Sequence, residues 1–398
     1  MSHHDPTKLP VLDPADPAGL DDLLSEDEKE IRSAVRQTLD TIAEPYIAEW
    51  FENGAIPNIR EVTRELGSLG ILGMHLEGYG CAGMSATAYG LACLEVEATD
   101  SGLRSLVSVQ GSLAMFAIWR WGSEEQKQEW LPRMAAGTAI GCFGLTEPDV
   151  GSDPGSLQTR ARRDGSDWVL DGRKMWISNA PYADVAIVWA NTEEGIRGFV
   201  VPTDTPGFSA PEIRHKLSLR ASATGELVLD GVRLPESAML PEARGLKGPL
   251  SCLNEARFGI VWGSLGAARS SIEVARAYAK DRVQFGRPIG AFQLTQQKLA
   301  DMSLEYIKGY LLAVHLGRRK DAERLRPEQV SIGKLNNVRE ALQICRTART
   351  ILGANGISLE YPIIRHQNNL ESVLTYEGTV EMHTLVLGQV LTGESAFR

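Results

Sequence analysis

A glutamate near the end of the chain raises the first question of chemistry. Glu377 stands between Tyr376 and Gly378 in the segment LTYEGTVEMH, and the apolar run LVLGQVL follows closely. A carboxylate at the edge of a helical core raises the question of whether it has a chemical role. The alternative is that Glu377 caps a helix or faces water. The neighbouring residues alone leave both interpretations open.

Three other segments place hydroxyl, aromatic or cationic side chains where a large ligand could bind. Thr146 and Ser152 occupy the loop FGLTEPDVGSDPGS, where small hydroxyls and open backbone amides can hydrogen-bond a planar ligand. Trp176 could flank such a ligand, and Arg282 with Phe285 ends a predicted helix where an arginine could bind a pyrophosphate. Each has an ordinary alternative: a β-turn, a core tryptophan, or an arginine paired with the helix dipole or a local carboxylate.

Several familiar catalytic motifs are absent from the sequence. It contains no G-x-x-x-x-G-K-S/T, G-x-S-x-G or H-E-x-x-H pattern, and the glycines of GLKGPLSCLNEARFG do not form a dinucleotide-binding turn. The seven histidines are isolated apart from His3 and His4, so we expect no metal site. The five cysteines are scattered and show no Cys-x-x-Cys spacing. This distribution is typical of reduced thiols.

The composition is that of an ordinary folded protein with an acidic balance. A length of 398 residues predicts two or three folded units. The formal net charge of -10 argues against nucleic acid or an anionic membrane as the main partner. The Pro- and Asp-rich start predicts a flexible arm over residues 1–24. Because no signal segment or membrane-spanning run is visible, we expect a cytoplasmic location.

Helical patterns occupy both ends of the chain. Over residues 25–140 apolar residues recur at helical spacing, and Ser25–Glu28 and Ser123–Gln126 are capping boxes that predict helix starts. The pattern returns over residues 244–398 in long amphipathic stretches, one of which closes at Gly353, a predicted C-cap. We therefore predict an N-terminal helical domain and a C-terminal domain resembling a four-helix bundle.

The middle of the chain, residues 141–243, has the pattern of a β domain. It contains short β-prone runs such as DWVLDG, DVAIVWAN and GELVLDGVRLP without intervening helices. Asp-Gly pairs beginning at Asp164, Asp171 and Asp230 predict hairpin turns. The whole chain is thus predicted to be an α+β multidomain protein with an antiparallel β-barrel or sandwich in the middle. A ligand is expected at a junction between domains, because pockets favour such interfaces.

Six separated motifs together resemble one known family. In chain order they are GCFGLTEPDVGSDP, DGRKMWISNAPYAD, LSLRASATGELVLDGVRLP, RVQFGRPIGAFQLTQQKLADM, ILGANGI and TYEGTVEMHTLVLG. Their content and order are similar to those of the acyl-CoA dehydrogenases, over nearly everything from residue 25 onward. Within that family, DSGLRSLVSVQGSL, SLRASATG, LNEARFGIVWG and IIRHQNNLESVLTYEGT look most like the glutaryl-CoA dehydrogenase branch.

The resemblance implies an FAD-dependent enzyme that introduces a double bond between the α and β carbons of an acyl-CoA. Glu377 matches the family's base, which removes the α-proton while the β-carbon passes a hydride to the flavin. A carboxylate enclosed by Tyr376, the flavin and the acyl chain would lose its water, so its pKa would rise. The Glu377 amide and an FAD hydroxyl would bind the thioester oxygen as an oxyanion hole.

Further family positions carry over to this chain. The residues that the resemblance implies for the cofactor are Phe143, Leu145, Thr146, Ser152, Trp176, Ile177, Ser178, Arg282, Phe285, Gln293, Thr350, Gly353, Ala354, Thr379 and Glu381. Those implied for the substrate are Glu97, Arg104, Ser105, Ser152, Leu253, Asn254, Arg257, Tyr376, Gly378 and Phe397. The cofactor set from Arg282 to Ala354 would reach the FAD of a neighbouring subunit in a homotetramer. Electron-transferring flavoprotein is the implied electron acceptor.

The segment EVEATDSGLRS determines the predicted substrate. Arg104, with Ser105 beside it, matches the pair that holds the distal carboxylate of glutaryl-CoA, and Glu97 matches a further pocket position. An anion cannot be buried unpaired without a large cost, which explains the need for a cation. The implied reaction is oxidative decarboxylation to crotonyl-CoA and CO2, in which Glu377 returns its proton. The alternative for Arg104 is a surface ion pair with Asp100.

The sequence leaves three other activities open. A relative could oxidise a neutral short-chain acyl-CoA without using Arg104, and an acyl-CoA oxidase would let oxygen reach the reduced flavin. A DNA-binding family member is the third, disfavoured by the acidic charge. The chain also departs from the family at Leu103, usually tyrosine, and at Val380–Glu381, usually His-Asp. These departures lie at the mouth of the acyl pocket and at two cofactor contacts that the resemblance implies.

Overall fold

The computed structural model describes residues 12–397. The predicted arm over residues 1–24 therefore lies partly outside the described residues. Its described part ends in a short 3-10 turn, Leu20–Leu23, and Leu20 and Leu24 are buried in the helical core. Helices at both ends flank a sheet in the middle, so the predicted α+β fold class is confirmed.

The first part of the chain is helical. The hydroxyl of Ser25 accepts the N–H of Glu28 at 3.3 Å, and the Glu28 carboxylate accepts the N–H of Ser25 at 2.9 Å. The same exchange between Ser123 and Gln126 starts a later helix, so both predicted capping boxes are confirmed. The helices are α1 Glu26–Ile42, α2 Ile47–Asn53, α3 Ile59–Ser68, α4 Ala86–Thr99, α5 Ser101–Ser108, α6 Phe116–Trp121 and α7 Glu124–Ala135, with a π-helical turn at Val109–Met115.

The middle of the chain forms a seven-stranded sheet. Its strands are β1 Gly141–Gly144, β2 Arg160–Asp164, β3 Asp167–Ser178, β4 Val185–Thr192, β5 Gly195–Pro202, β6 Phe208–Ser209 and β7 Thr224–Pro235. β5 lies antiparallel to β4 along its full length, and β2, β3, β7 and β6 follow one another in antiparallel pairs. The sheet is nevertheless mixed, because β1 runs parallel to β4. These two strands are not consecutive, so a long connection lets them share a direction.

The three Asp-Gly pairs play different roles. Asp164–Gly165 connects β2 to β3, and Gly165 has a φ of 66°, as a hairpin turn requires. Asp171–Gly172 and Asp230–Gly231 lie inside β3 and β7, where the register between the strands shifts. The hairpin prediction is wrong at these two pairs, because there the glycines serve a β-bulge and not a turn.

Long helices and one small hairpin complete the chain. They are α8 Lys247–Asp281, β8 Val283–Gln284, β9 Arg287–Pro288, α9 Gln293–Asp321, α10 Pro327–Ile351, α11 Ile363–Thr375 and α12 Val380–Thr392. α8 passes very close to α4, since a Cβ on Gly266 would lie 1.9 Å from the carbonyl oxygen of Leu94. Gly353 follows α10 with a φ of 60°, as its predicted role at a helix end requires. No helix within residues 12–397 is both long and apolar enough to cross a membrane.

A buried carboxylate joins the two helical parts of the chain. Asp100, at the junction of α4 and α5, is fully buried and accepts the N–H of Gly102 at 2.6 Å. Its second oxygen accepts from Arg365 at 2.7 Å and from Asn369 at 2.8 Å, both in α11. α11 leads to the loop that contains Glu377, so this network fixes the helix before that loop relative to α5.

Substitution of Asp100 should weaken the fold. Asp100→Ala leaves the Arg365 guanidinium buried without its counter-ion, and removing one partner of a buried ion pair costs about 3–5 kcal/mol. We expect a lower urea midpoint for Asp100→Ala, with a smaller loss for Asp100→Asn, which keeps an acceptor oxygen. An unchanged midpoint for the alanine variant would show that the network does not stabilise the fold.

Candidate active site

The loop between α11 and α12 holds Glu377 in a strained backbone conformation. Tyr376 ends α11, and the Thr379 hydroxyl caps α12 by accepting the N–H of Met382 at 3.4 Å. Between them, Glu377 and Gly378 have φ angles of 54° and 99°. A left-handed glutamate costs roughly 1–2 kcal/mol, and such strain persists where the surroundings over-determine it, often at functional sites. Glu377 therefore caps neither helix.

One oxygen of the Glu377 carboxyl group is buried, although the residue as a whole is partly exposed. This oxygen, Oε2, has no hydrogen-bond partner among residues 12–397. Burial raises the pKa of Glu377, and the positive charges of Arg104, Lys334 and Arg257 oppose that rise only in part. A desolvated carboxylate with an unused lone pair is suited to accepting a proton.

Residues of α8 contact the Glu377 loop from one helix face. The Nε of Arg257 donates to the carbonyl oxygen of Glu377 at 2.7 Å, and its Nη1 donates to Oδ1 of Asn254 at 3.3 Å. Spacing of three residues puts Asn254 and Arg257 side by side on a helix. Leu253 packs, partly buried, against the neighbouring core. The structure thus brings two predicted substrate residues to the predicted base.

A buried arginine contacts the same loop from α5. Arg104 is only 1% exposed; its Nε donates to Oε2 of Glu97 at 2.7 Å, and its Nη2 donates to the Tyr376 hydroxyl. The other Glu97 oxygen accepts from the Ser101 hydroxyl at 2.8 Å. Within the described chain Nη1 of Arg104 makes no hydrogen bond. A surface ion pair of Arg104 with Asp100, the alternative from sequence, is wrong.

Predicted flavin residues converge where β1, β3 and α5 meet. The carbonyl oxygen of Thr146 accepts the N–H of Met175 at 2.8 Å, which joins the loop after β1 to a bulge in β3. Trp176 in that bulge has a φ of 61° and is 56% exposed. At the end of β3 the Ser178 hydroxyl lies 3.5 Å from that of Ser105 in α5. A strained, exposed tryptophan in the strand whose end meets α5 indicates a binding surface.

Other predicted contact residues take varied positions. Three of them are buried in the core: Phe143, Leu145 and Ile177. Ser152 and Phe397 are exposed, in the loop after β1 and in the segment after α12. Glu381 is also exposed, and hydrogen bonds from Thr379 and from its own backbone amide lower its pKa.

The residues predicted to serve a neighbouring subunit are exposed. Phe285, at the turn between β8 and β9, is 95% exposed with a φ of 54°, and Arg282 and Gln293 lie on either side of this hairpin. Thr350 lies in the last turn of α10, followed by Gly353 and Ala354. Within the described residues no hydrogen bond or ion pair joins this group to Glu377.

Sequence reasoning missed two residues of the site. Lys334 in α10 is buried, and its Nζ donates to the carbonyl oxygens flanking Glu377. The sequence pattern that could have identified Lys334 is its position four residues from both Val330 and Val338, on the apolar face of a helix. Gly263 in α8 makes room for Glu97, because a Cβ there would lie 2.1 Å from Oε2. Among residues 12–397, no three His, Cys, Asp or Glu side chains are placed to hold a metal ion.

The domain architecture defines the class of protein. Family models of the acyl-CoA dehydrogenase N-terminal, middle and C-terminal domains match residues 25–138, 142–232 and 243–392. The chain therefore belongs to the acyl-CoA dehydrogenase family, and the family and enzyme class predicted from the motifs are confirmed.

Individual relatives show which branch the chain resembles. A crystal structure of glutaryl-CoA dehydrogenase from Mycobacterium smegmatis is 69% identical with a TM-score of 0.95, covering 96% of this chain and 99% of that one. A second structure is that of a glutaryl-CoA dehydrogenase from the same organism in complex with FADH2. Its sequence is 64% identical, its TM-score is 0.96, and the match covers 98% of this chain and 100% of that one. The human mitochondrial short-chain specific acyl-CoA dehydrogenase is 37% identical over 331 residues, 81% of this chain and 80% of that protein.

Proposed function

We propose that this protein is an FAD-dependent dehydrogenase that converts glutaryl-CoA to crotonyl-CoA and CO2. One observation carries the proposal: the buried Arg104 hydrogen-bonds Tyr376, the residue next to Glu377, whose Oε2 is buried. The similarity to glutaryl-CoA dehydrogenases at 64–69% identity supports the same substrate.

The charges around the pocket suit an anionic acyl chain. Arg104, Arg257 and Lys334 supply three positive charges when ionised, against the two carboxylates of Glu97 and Glu377. A carboxylate at the end of the acyl chain needs a paired cation to be buried without a large cost. Nη1 of Arg104, which has no hydrogen bond among the described residues, can supply that pairing.

The bulge in β3 fits a flavin. An aromatic side chain that is more than half exposed on a left-handed backbone costs stability unless something covers it, and a planar ring would cover Trp176. Thr146 and Ser178 place a carbonyl group and a hydroxyl near the same bulge. FAD, when bound, supplies the hydride acceptor for the β-carbon of the substrate. The remaining steps fall to residues of this chain.

Glu377 performs two proton transfers in the proposed reaction. It first takes the α-proton, while its own backbone N–H donates to the thioester oxygen and stabilises the developing negative charge. After loss of the hydride the product is glutaconyl-CoA, whose distal carboxylate leaves as CO2 because the electron pair delocalises into the thioester. Glu377 then returns its proton to the γ-carbon, giving crotonyl-CoA. Arg104 holds the leaving carboxylate in place until it departs.

Turnover should depend on the ionisation of Glu377. Because burial raises its pKa above the ordinary 4.5, Glu377 stays protonated to a higher pH than an exposed glutamate does. Only the deprotonated form accepts the α-proton, so we expect kcat for glutaryl-CoA to be present above this raised pKa and lost below it. The dependence is measured as kcat against pH, with a dye as the electron acceptor. A rate that stays constant as the pH falls to the ordinary glutamate range would contradict this role.

Carboxyl-labelled glutaryl-CoA with a dye acceptor tests the whole proposal. We expect reduction of the dye, crotonyl-CoA in the thioester pool and labelled CO2 in the gas. Unconsumed glutaryl-CoA beside rapid oxidation of butyryl-CoA would overturn the substrate. Glutaconyl-CoA without CO2 would overturn only the second step, and peroxide formed without the dye would identify an oxidase.

The family resemblance also supports a homotetramer that passes electrons to electron-transferring flavoprotein. We further propose a cytoplasmic location for this protein. Large apolar side chains are exposed at the C-terminal end of the fold, including Phe285, Leu294 and Leu391. Contact with a second copy would cover such side chains. Light scattering tests the assembly, and a monomer at micromolar concentration would overturn it.

A further inference from the structure

Lys334 is a buried lysine whose hydrogen bonds all go to the candidate catalytic loop. It lies in α10 with 2% of its surface exposed. Its Nζ donates to the carbonyl oxygen of Tyr376 at 2.8 Å and to that of Gly378 at 2.7 Å. No carboxylate forms an ion pair with it among residues 12–397. Burial lowers the pKa of Lys334, and the charge of Glu377 opposes that shift.

Side chains from two helices hold three consecutive carbonyl groups. Lys334 binds those of Tyr376 and Gly378, and Arg257 of α8 binds that of Glu377 at 2.7 Å. The loop needs this support, because its two central residues are left-handed. At Gly378 a side chain is also excluded sterically, since a Cβ would lie 2.7 Å from Nε2 of His383.

The hydrogen bond to Tyr376 has a particular consequence. The carbonyl group of Tyr376 and the N–H of Glu377 belong to one planar peptide unit and point in opposite directions. A cation fixed on the carbonyl oxygen therefore fixes the direction of the N–H. It also polarises the peptide, which strengthens the N–H as a hydrogen-bond donor.

We propose that Lys334 is a positioning residue that aligns and polarises the Tyr376–Glu377 peptide, so that the Glu377 N–H and the Glu377 carboxylate act on one substrate together. This inference rests on the proposed function of Glu377. In the proposed reaction the two groups act at adjacent atoms of the substrate, the thioester oxygen and the α-carbon. Displacement of catalytic groups by about 1 Å can cost on the order of 100-fold in rate.

Substitution of Lys334 tests this role in the FAD-loaded enzyme. Lys334→Met keeps the length of the side chain and removes the donor, and we expect kcat to fall by on the order of 100-fold with little change in KM. Lys334→Arg keeps the charge and the donors, so its kcat should lie between those of the methionine variant and the wild type. Lys216→Met is the matched control, because Lys216 also bridges two loop carbonyls, those of Leu219 and Ser222.

A spectroscopic measurement separates positioning from a purely structural role. Acetoacetyl-CoA has an acidic α-carbon, and its enolate absorbs in the near ultraviolet, so the enolate fraction in the bound state reports stabilisation of the thioester oxyanion. We expect the wild type and Lys216→Met to bind the enolate, and Lys334→Met to bind mainly the neutral form. Should Lys334→Met fail to fold, Lys334→Leu, which is apolar and likewise lacks a donor, is measured with the same expected loss.

The outcomes distinguish this inference from the proposed function. Wild-type kcat and a wild-type enolate fraction in the folded methionine or leucine variant would overturn the role of Lys334 and leave the function standing. An equal loss in Lys216→Met would also overturn it, since the effect would then be one of general stability. Wild-type enzyme that does not convert glutaryl-CoA would contradict the proposed function, whereas the enolate measurement would still decide the role of Lys334.

Discussion

Glu377→Gln is expected to abolish most turnover of glutaryl-CoA. The amide keeps the shape of the side chain but cannot accept the α-proton, and a positioned general base contributes about 10²- to 10⁴-fold to the rate. The loss should appear in kcat, because glutamine leaves the contacts with bound substrate nearly unchanged. Steady-state turnover with a dye acceptor measures it. Glu65→Gln, at an exposed position of α3, is the control and should turn over as the wild type does.

The same variant should not lose stability. Because burial raises the pKa of Glu377, the folded protein holds that proton more tightly than the unfolded chain, so ionisation of Glu377 costs stability as the pH rises through this range. Replacing the ionised carboxylate with a neutral amide removes that cost near neutral pH. We expect a urea midpoint equal to or above that of the wild type. A variant that loses activity only by unfolding would show the opposite shift.

Arg104→Met is expected to change the substrate preference. Truncation of one partner in a buried charge pair costs about 2–5 kcal/mol, so kcat/KM for glutaryl-CoA should fall by at least roughly 30-fold. Butyryl-CoA has no distal carboxylate, so kcat/KM for butyryl-CoA should fall far less. The ratio of kcat/KM for the two thioesters is the measurement, since it cancels any general loss of active enzyme. A ratio equal to that of the wild type would contradict the assignment of Arg104.

The partner of Arg104 requires a second variant. Arg104→Met leaves the fully buried Glu97 without its counter-ion, which costs about 3–5 kcal/mol of stability. The double variant Glu97→Gln with Arg104→Met removes both charges and should recover much of that stability. It should still discriminate against glutaryl-CoA, because the cation is missing. Recovery of glutaryl-CoA turnover in the double variant would mean that the fold, and not the charge of Arg104, had been responsible.

Sequence patterns predicted the parts of this fold that depend on local chemistry. The capping boxes at Ser25 and Ser123 follow from hydrogen bonds within one helical turn, and the helical and β zones follow from the period of apolar residues. The pairing of β1 with β4 depends on residues more than forty positions apart, between Gly141 and Val185. No local pattern encodes that distance. For the same reason the Asp-Gly pair at Asp171 predicted a turn although it lies within a strand.

The candidate site divides in a similar way. Glu377 was found through its motif, and the strain at Glu377 and Trp176 appears only in the folded backbone. Lys334 carries no motif, and a lysine in a helix is ordinarily exposed. Its importance arises because α10 packs beside the loop after α11, which is a tertiary relation. The pairing of Glu97 with Arg104 likewise depends on the angle between α4 and α5 and not on their sequence separation alone.

A single-turnover measurement tests whether Glu377 takes a proton from glutaryl-CoA while the flavin is reduced. FAD-loaded enzyme is mixed rapidly with glutaryl-CoA without an electron acceptor, and the visible absorbance of the oxidised flavin is followed together with labelled CO2. We expect fast bleaching by the wild type with CO2 released, and bleaching by Glu377→Gln slowed by about 10²-fold or more. Bleaching of the glutamine variant at the wild-type rate, or wild-type enzyme that is not bleached by glutaryl-CoA, would contradict this mechanism.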